Sequence, residues 1–133
     1  MKASIIKEND RKYLVADDNG KIIGVIGYKT PDTKMLEFSQ TQNPTELVNA
    51  YVDPEQRKGR GVGRSLVSSL EQSAANDGFT EIILNSGQRY KETGWGFYDR
   101  LPGFSRIGIA KNYYGEGGDA PVWSKILEEK TNQ

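Results

Sequence analysis

Between residues 12 and 52, hydrophobic residues form short runs separated by polar turn signals, a pattern typical of β-strands. Two strands are predicted near residues 12–17 and 21–29, on either side of Asn19-Gly20, a dipeptide that strongly favours a hairpin turn. A polar, proline-punctuated connection covers residues 30–45, and a third strand is predicted over residues 46–52. We therefore predict that this part of the chain forms an antiparallel hairpin followed by another strand.

The pattern changes at residue 62, where apolar positions recur about every four residues up to residue 76. This spacing forms one face of a helix, and Gly78 can end the helix in a left-handed conformation. A short apolar run at residues 79–84 follows, so a parallel strand–helix–strand crossover is expected here. The remaining predicted elements are a short helix over residues 93–101 and two strands over residues 104–110 and 121–127.

The length of 133 residues suits one domain with a single core. We expect residues 1–11 to form a short leader and residues 128–133 to form a frayed tail. Lys and Arg together number 18, as do Asp and Glu, so the chain lacks the excess positive charge that general nucleic-acid binding requires.

The sequence contains neither cysteine nor histidine, which excludes disulfides, thiol nucleophiles, histidine bases and the commonest zinc sites. Any acid–base chemistry must therefore use carboxyl, tyrosine or lysine groups, water or a chain terminus. No apolar run approaches the roughly 20 residues of a membrane span, and the N-terminus lacks a signal-peptide core. We expect a cytoplasmic protein without a metal, a membrane anchor or a nucleic-acid partner.

The most informative segment is VDPEQRKGRGVGRSL at residues 52–66, in which three alternating glycines are interleaved with basic residues. Glycine lets the backbone turn sharply and approach a ligand closely. The free N–H groups at the start of the following helix, together with its dipole, favour an anion such as phosphate. Arginine and lysine side chains would add charge-assisted hydrogen bonds. The segment therefore predicts a pyrophosphate site.

Two common phosphate-binding motifs fit this segment poorly. A P-loop requires lysine where the chain has Arg64, and it requires more residues between its glycines. The dinucleotide fingerprint is Gly-x-Gly-x-x-Gly in a chain of strand–helix repeats, whereas residues 59–63 read Gly-x-Gly-x-Gly after an antiparallel hairpin.

The segment resembles motif A of the GNAT acyltransferase superfamily, whose signature is Gln/Arg-x-x-Gly-x-Gly/Ala after a strand that ends in Val-x-Pro. Residues 56–61 match this signature, and residues 58–63 match it in a second register, which we favour because it sets the helix start in the family's usual phase. Residues 97–104 resemble the family's Phe-Tyr-x-x-x-Gly-Phe segment, with one extra residue. The resemblance covers roughly residues 12–127. It implies an α+β fold, with a mixed, mostly antiparallel sheet, splayed central strands and flanking helices.

The chain departs from the family pattern in two places. Lys91 and Gly94 stand where the family often has Asn-x-x-Ala, and only about ten residues precede the hairpin. The family's first strand and two helices, which shape much of the acceptor site, are therefore expected to be absent or reduced to residues 4–7. Two alternatives stay open for this reason. One is a non-catalytic module that binds coenzyme A or a partner, and the other is a domain whose acceptor site comes from another chain, such as its mate in a homodimer.

The resemblance implies that the protein moves an acetyl group from acetyl-CoA to an amine of a small molecule or a protein by direct attack. The pantetheine arm of coenzyme A would lie between the strands at residues 46–52 and 79–84, and the pyrophosphate would lie on backbone N–H groups near residues 58–63. The residues expected to bind coenzyme A are Tyr51, Val52, Arg57, Lys58, Gly59, Arg60, Gly61, Val62, Gly63, Arg64 and Ser65.

Tyr98 matches the family tyrosine that often protonates the departing thiolate, and its alternative role is packing on a helix face. Glu46 lies where the family often has an acidic residue facing the acceptor, so it is our candidate base; its alternative role is an ordinary charge at a strand start. Asn49 has the opposite strand parity, so only one of the two faces the cleft unless the strand contains a bulge. Four further aromatic residues are interpreted as core or interface, with an acceptor pocket as the alternative: Tyr90, Trp95, Tyr113 and Tyr114.

Overall fold

A computed structural model describes residues 2–8, 10–56 and 61–127. These residues form one seven-stranded sheet and three α-helices, with short 3-10 turns at Pro54–Gln56 and Gln88–Tyr90. The strands are β1 (Lys2–Glu8), β2 (Arg11–Asp18), β3 (Lys21–Lys29), β4 (Pro44–Val52), β5 (Glu81–Asn85), β6 (Ser105–Ala110) and β7 (Ala120–Ile126). The helices are α1 (Thr33–Leu36), α2 (Val62–Asn76) and α3 (Gly94–Arg100).

The strand order in the sheet is β1-β2-β3-β4-β5-β7-β6. Among the described strands, β4 and β5 run parallel, and all other neighbouring pairs are antiparallel. The predicted α+β class and the mixed, mostly antiparallel sheet are therefore confirmed. The parallel pair follows from the sequence order strand–helix–strand, because α2 returns the chain to the edge of the sheet where β4 begins, and β5 then runs in the same direction as β4.

The β2–β3 hairpin is confirmed at the predicted turn. Asn19 and Gly20 both have positive φ, 54° and 86°, as a two-residue turn that matches the twist of the flanking strands requires. The Gly20 N–H also donates to Asp17 Oδ1 at 2.8 Å, which fixes the turn against the end of β2.

Residues 2–8 lie in the segment that we expected to be a short leader, but they form β1. This strand pairs with β2 along its whole length, from Lys2 opposite Asp17 to Glu8 opposite Arg11. Since β1 ends at residue 8 and β2 begins at residue 11, no helix can lie between them.

The predicted helix at residues 62–76 is confirmed as α2, and its buried positions face the sheet. The packing is tight at Gly24 of β3, where an added Cβ would lie 2.9 Å from Leu66 Cδ1. The C-terminal end forms a Schellman motif around Gly78, which has φ 91°. The N–H groups of Gly78 and Phe79 donate to the carbonyl groups of Ala75 and Ala74, each at 3.0 Å.

The two faces of the sheet carry different cores. Along β5, Ile82 and Leu84 belong to the main core beneath α2 and α3, whereas Ile83 points to the other face. On that other face, Ile83 packs in a small cluster with Met35 of α1, Ala110 and Val122, and Tyr113 lies partly buried against it. Glu46, in register with Ile83, lies on the face that carries this small cluster, whereas Val52, Phe97 and Tyr98 pack against the main core.

Strands β4 and β5 pair over only three residues, from Pro44 opposite Glu81 to Glu46 opposite Ile83. Beyond this point β4 continues to Val52 without a partner on β5, so the sheet forks after Glu46. This fork confirms the predicted splay of the central strands.

Strand β4 also contains a bulge. Its register with β3 shifts between the pairs Gly27–Val48 and Val25–Tyr51, and Asn49 in the bulge has φ 54°. Arg11 lies on the same face as Glu46, since both are in register with Lys29, and its Nη1 donates to Asn49 Oδ1 at 2.7 Å. The bulge therefore brings Asn49 to the Glu46 side of the sheet, and the parity argument that separated them does not apply.

We expect Gly24→Ala to lower the free energy of unfolding by about 1–3 kcal/mol, because the new methyl group would be forced against α2. An added Cβ would lie 2.9 Å from Leu66 Cδ1 and 3.2 Å from the Tyr51 carbonyl oxygen. Because the carbonyl oxygen is a backbone atom, relieving this contact would require a shift of β4. Urea denaturation measures the effect. Ile22→Ala on the same strand is the control, since this side chain is 63% exposed and should change stability by no more than about 0.5 kcal/mol. Equal midpoints for Gly24→Ala and the wild type would contradict this view of the packing.

Candidate active site

The N-terminus of α2 lies just beyond the end of β4. Its N-cap residue Gly61 has a left-handed backbone, with φ 64°, and no side chain caps the helix. The Ser65 N–H is already used by the Gly61 carbonyl at 2.9 Å. The N–H groups of Val62, Gly63 and Arg64 precede the first intrahelical bond and so point out of the helix end.

Three elements converge at Gly63. An added Cβ there would lie 3.1 Å from the Phe97 ring of α3 and 3.8 Å from the Val52 side chain at the end of β4. The absence of a side chain therefore lets the helix start, the fork and α3 come together. This contact places Gly63, Val52 and the segment around Phe97 in one region.

The remaining residues predicted to bind coenzyme A have different positions. Arg57, Lys58, Gly59 and Arg60 lie outside the described residues, so their role and the register of the motif stay predictions. Tyr51 is 54% exposed on β4 beyond the fork. Arg64 and Ser65 line a cavity of about 410 Å³ between α2 and the loop that follows α3, with Leu101 and Lys125 on its other side. This cavity lies beside α2 and not within the fork.

Glu46 lies at the apex of the fork and is only 3% exposed. Its Oε1 accepts a hydrogen bond from the Asp32 N–H at 3.0 Å. Among the described residues, no hydrogen bond to its Oε2 is found. One oxygen of this carboxylate is therefore held by a backbone N–H from the segment before α1.

Burial is the main influence on the Glu46 carboxyl, and it raises its pKa above the ordinary value. The hydrogen bond from Asp32 lowers the pKa, and the negative charge of the Asp32 side chain raises it. A carboxylate with a raised pKa is a stronger base than an exposed one, as proton abstraction requires.

Asp32 connects Glu46 to two further segments. Lys29 Nζ donates to Asp32 Oδ1 at 2.6 Å, and the Tyr113 hydroxyl donates to Asp32 Oδ2 at 2.5 Å. These two bonds hold the pKa of Asp32 below its ordinary value. Asp32 was not among the candidate site residues. The signal in Pro31-Asp32-Thr33 is that of a helix start, and nothing local in it indicates a contact with a residue 14 positions away.

The four aromatic residues have different positions. Trp95 is buried, and its Nε1 donates to the Gly87 carbonyl at 3.2 Å, which confirms its interpretation as core. Tyr113 and Tyr114 stack edge to face at 4.9 Å in the β6–β7 loop, and the Tyr114 hydroxyl donates to Asn85 at the end of β5. Tyr90 is exposed on the 3-10 turn that precedes α3. Tyr113 and Tyr114 therefore border the Glu46 region through their hydroxyl groups.

Tyr98 lies on α3, with its ring 5.4 Å from the rings of both Phe97 and Trp123. Burial raises the pKa of Tyr98 to about 12, so its hydroxyl stays protonated at neutral pH. Within the described part of the chain, this hydroxyl has no hydrogen-bond partner. The charges of Tyr90 and Tyr114 raise the pKa of Tyr98 further.

Among the described residues, no group of three or more acidic side chains is arranged to hold a metal ion. None of the helices in this part of the chain has the length and apolar character needed to cross a membrane.

Comparison with known proteins identifies the class. A model of the acetyltransferase (GNAT) family matches residues 2–104, which is most of the chain. This chain therefore belongs to the GNAT acetyltransferase family, as the resemblance of motif A indicated.

Individual relatives are more distant. Human N-acetyltransferase 8B is 29% identical over 128 residues, which are 96% of this chain and 50% of that protein. Human N-acetyltransferase 8 is 30% identical over 84 residues, 63% of this chain and 35% of that protein. The chain thus spans half or less of the length of these relatives. The structure of an aminoglycoside 6′-N-acetyltransferase in complex with coenzyme A has the same fold, with a TM-score of 0.70 and 20% identity, over 92% of this chain and 76% of that chain.

We expect Glu46→Gln to make the protein more stable than the wild type at neutral pH. The folded state raises the pKa of Glu46, so the wild type loses stability as the pH rises from the ordinary value of 4.5 through the higher value of the folded state. The glutamine keeps an acceptor for the Asp32 N–H but avoids the buried charge. Thermal unfolding at a series of pH values should show the difference between the two proteins vanish below about pH 4. Glu55→Gln, at an exposed carboxylate, is the control for the loss of one charge. A Glu46→Gln variant less stable than the wild type at every pH would contradict the assignment of burial as the main influence.

Proposed function

We propose that this protein transfers an acetyl group from acetyl-CoA to an amine nitrogen of a small molecule or a protein. Members of its family are acetyltransferases, and the substrates of this chain are our inference. The observation that carries the proposal is the fork between β4 and β5, with a buried carboxylate at its apex and an uncapped helix start beside its open end.

The donor would use both features. The pyrophosphate of coenzyme A would accept hydrogen bonds from the N–H groups of Val62, Gly63 and Arg64, with added charge from residues 57–60. The pantetheine arm would extend along β4 near Tyr51 and Val52, on the side where β5 does not pair with it. Backbone donors there would polarise the thioester carbonyl.

The reaction needs protons to leave the amine nitrogen and a proton to reach the sulfur. A protonated amine with a pKa near ~10 must lose a proton before it attacks, and Glu46 Oε2 would accept that proton directly or through water. The nitrogen lone pair then forms a bond to the thioester carbon, the carbon–sulfur bond breaks, and the nitrogen loses its second proton to water to give the neutral amide. The departing thiolate, whose thiol has a pKa of about 8.5 by analogy with cysteine, would take its proton from the Tyr98 hydroxyl. Solvent then returns a proton to Tyr98, and Glu46 releases the one that it accepted.

Coenzyme A should stabilise the protein against heat, because a ligand present at 100 times its dissociation constant contributes about 2.7 kcal/mol. The double variant Arg57→Ala/Arg60→Ala should bind about tenfold or more weakly, since it loses charge-assisted hydrogen bonds to phosphate. Arg89→Ala, at an exposed arginine near α3, is the matched control and should bind like the wild type. If saturating coenzyme A produced no shift in melting temperature, the donor assignment would be wrong.

Tyr98→Phe should lower kcat by about 100-fold, since general acid catalysis contributes typically 10²–10⁴-fold, and leave the KM for acetyl-CoA unchanged. Release of free thiol from acetyl-CoA, measured across a panel of small amines and peptides, first identifies an acceptor and then gives this rate. The phenylalanine keeps the ring packing on Phe97 and Trp123, so the melting temperature provides the folding control. A variant as fast as the wild type at every pH would remove Tyr98 from the mechanism.

A second candidate is a non-catalytic module that binds coenzyme A. It is favoured by the β1–β2 connection, in which only residues 9 and 10 separate the strands, so no helices there can shape an acceptor site. This candidate predicts a thermal shift with coenzyme A but no thiol release with any amine. A site that is completed by a second copy of the chain would instead show a specific activity that rises with protein concentration.

A further inference from the structure

Tyr113 connects the β6–β7 loop to the apex of the fork. Its hydroxyl donates to Asp32 Oδ2 at 2.5 Å, across 81 positions in the sequence. Its ring packs against the small cluster of Met35, Ile83 and Val122. The hydroxyl and the ring therefore make separate interactions, and a phenylalanine would preserve the ring packing.

Every polar group of Asp32 takes part in a hydrogen bond. Its carboxylate binds Tyr113 and Lys29, and its carbonyl accepts the N–H groups of Met35 and Leu36 at 2.9 and 3.0 Å. Its N–H is the group that donates to Glu46 Oε1. Since the carboxylate and the N–H belong to one residue, a bond that holds the former also restrains the latter.

Glu46 receives no other hydrogen bond from the described residues, so the Asp32 N–H is what orients its carboxylate there. The charged and titratable groups around it come from four segments. They are Arg11 on β2, Lys29 on β3, Asp32 before α1, and Tyr113 and Tyr114 in the β6–β7 loop.

We propose that Tyr113 is a positioning residue: through the carboxylate and N–H of Asp32, its hydroxyl holds Glu46 with Oε2 directed to the amine. This inference rests on the proposed acetyl transfer, in which Glu46 is the base. Tyr113 itself touches no reacting atom. The β6–β7 loop therefore sets the orientation of the Glu46 carboxylate through two successive hydrogen bonds, from Tyr113 to Asp32 and from Asp32 to Glu46.

The direct test is titration of the Glu46 carboxyl carbon by NMR in ¹³C-labelled protein, with its signal identified by its absence in Glu46→Gln. We expect Tyr113→Phe to raise the pKa of Glu46, because a freer Asp32 would donate a weaker hydrogen bond to its ionised form. In an Asp32→Ala background, Tyr113→Phe should cause no further shift. The alanine does not remove a helix cap, since the Asp32 side chain does not cap α1. An unchanged pKa in Tyr113→Phe, or an equal shift in both backgrounds, would overturn the proposal.

Tyr114→Phe is the matched control. Tyr114 is the adjacent tyrosine, but its hydroxyl binds Asn85 and not Asp32. Its loss should leave the titration of Glu46 where it is in the wild type. A shift as large as that of Tyr113→Phe would show that any hydroxyl lost from this loop alters the site, and would contradict a specific role for Tyr113.

Kinetics provide a second readout. Tyr113→Phe should lower kcat about fivefold, the equivalent of one hydrogen bond, and move the acidic limb of the kcat/KM profile to higher pH. The KM for acetyl-CoA should not change. A lower melting temperature with an unaltered pH profile would mean that Tyr113 is merely structural, and would overturn the proposal. A wild type that acetylates no amine would contradict the proposed function, and the NMR titration would still decide whether Tyr113 orients Glu46.

Discussion

The central constraint in this fold is the three-residue pairing of β4 with β5, which is held firmly at one end and stops abruptly at the other. At the closed end, Glu81 is fully buried at the start of β5. It accepts hydrogen bonds from the N–H groups of Gln40 and Thr41 and from the Ser124 hydroxyl. A buried carboxylate is tolerated only when its oxygens are so satisfied. This network ties the loop before β4 to β5 and β7, and thereby sets where the two parallel strands meet.

From this fixed end, the strands can pair only as far as Glu46 and Ile83 before they separate. The twist of a sheet accumulates from strand to strand, and the bulge at Asn49 bends β4 further. The fork, the exposed continuation of β4 and the nearby start of α2 therefore have one structural origin. In the proposed reaction, the extended arm of the donor would lie in the fork, in the place beside β4 that β5 leaves open.

Local signals in the sequence were sufficient for most elements. Asn19-Gly20 indicated the hairpin, the four-residue spacing indicated α2, and Gly78 indicated its end, because each depends on backbone preferences of a few adjacent residues. The strand at residues 2–8 was missed, since it is stabilised by pairing with β2 and its own pattern is weak. The Asp32–Glu46 contact joins segments through the tertiary fold, and no local pattern encodes it. Motif A predicts the proposed donor site, whereas the segment around Asp32 carries no comparable motif.

In the proposed reaction, a chain without histidine must divide acid–base work between a carboxyl and a phenol. Their ordinary pKa values, 4.5 and 10, lie on opposite sides of neutrality. Burial raises both, since it disfavours the charged form of each. For Glu46 the result is a stronger base; for Tyr98, with its pKa near 12, the result is a hydroxyl that is protonated at neutral pH but is less acidic than an ordinary phenol. Burial therefore strengthens Glu46 as a base but weakens Tyr98 as an acid, so in the proposed reaction the phenol must rely on its position beside the sulfur rather than on its acidity.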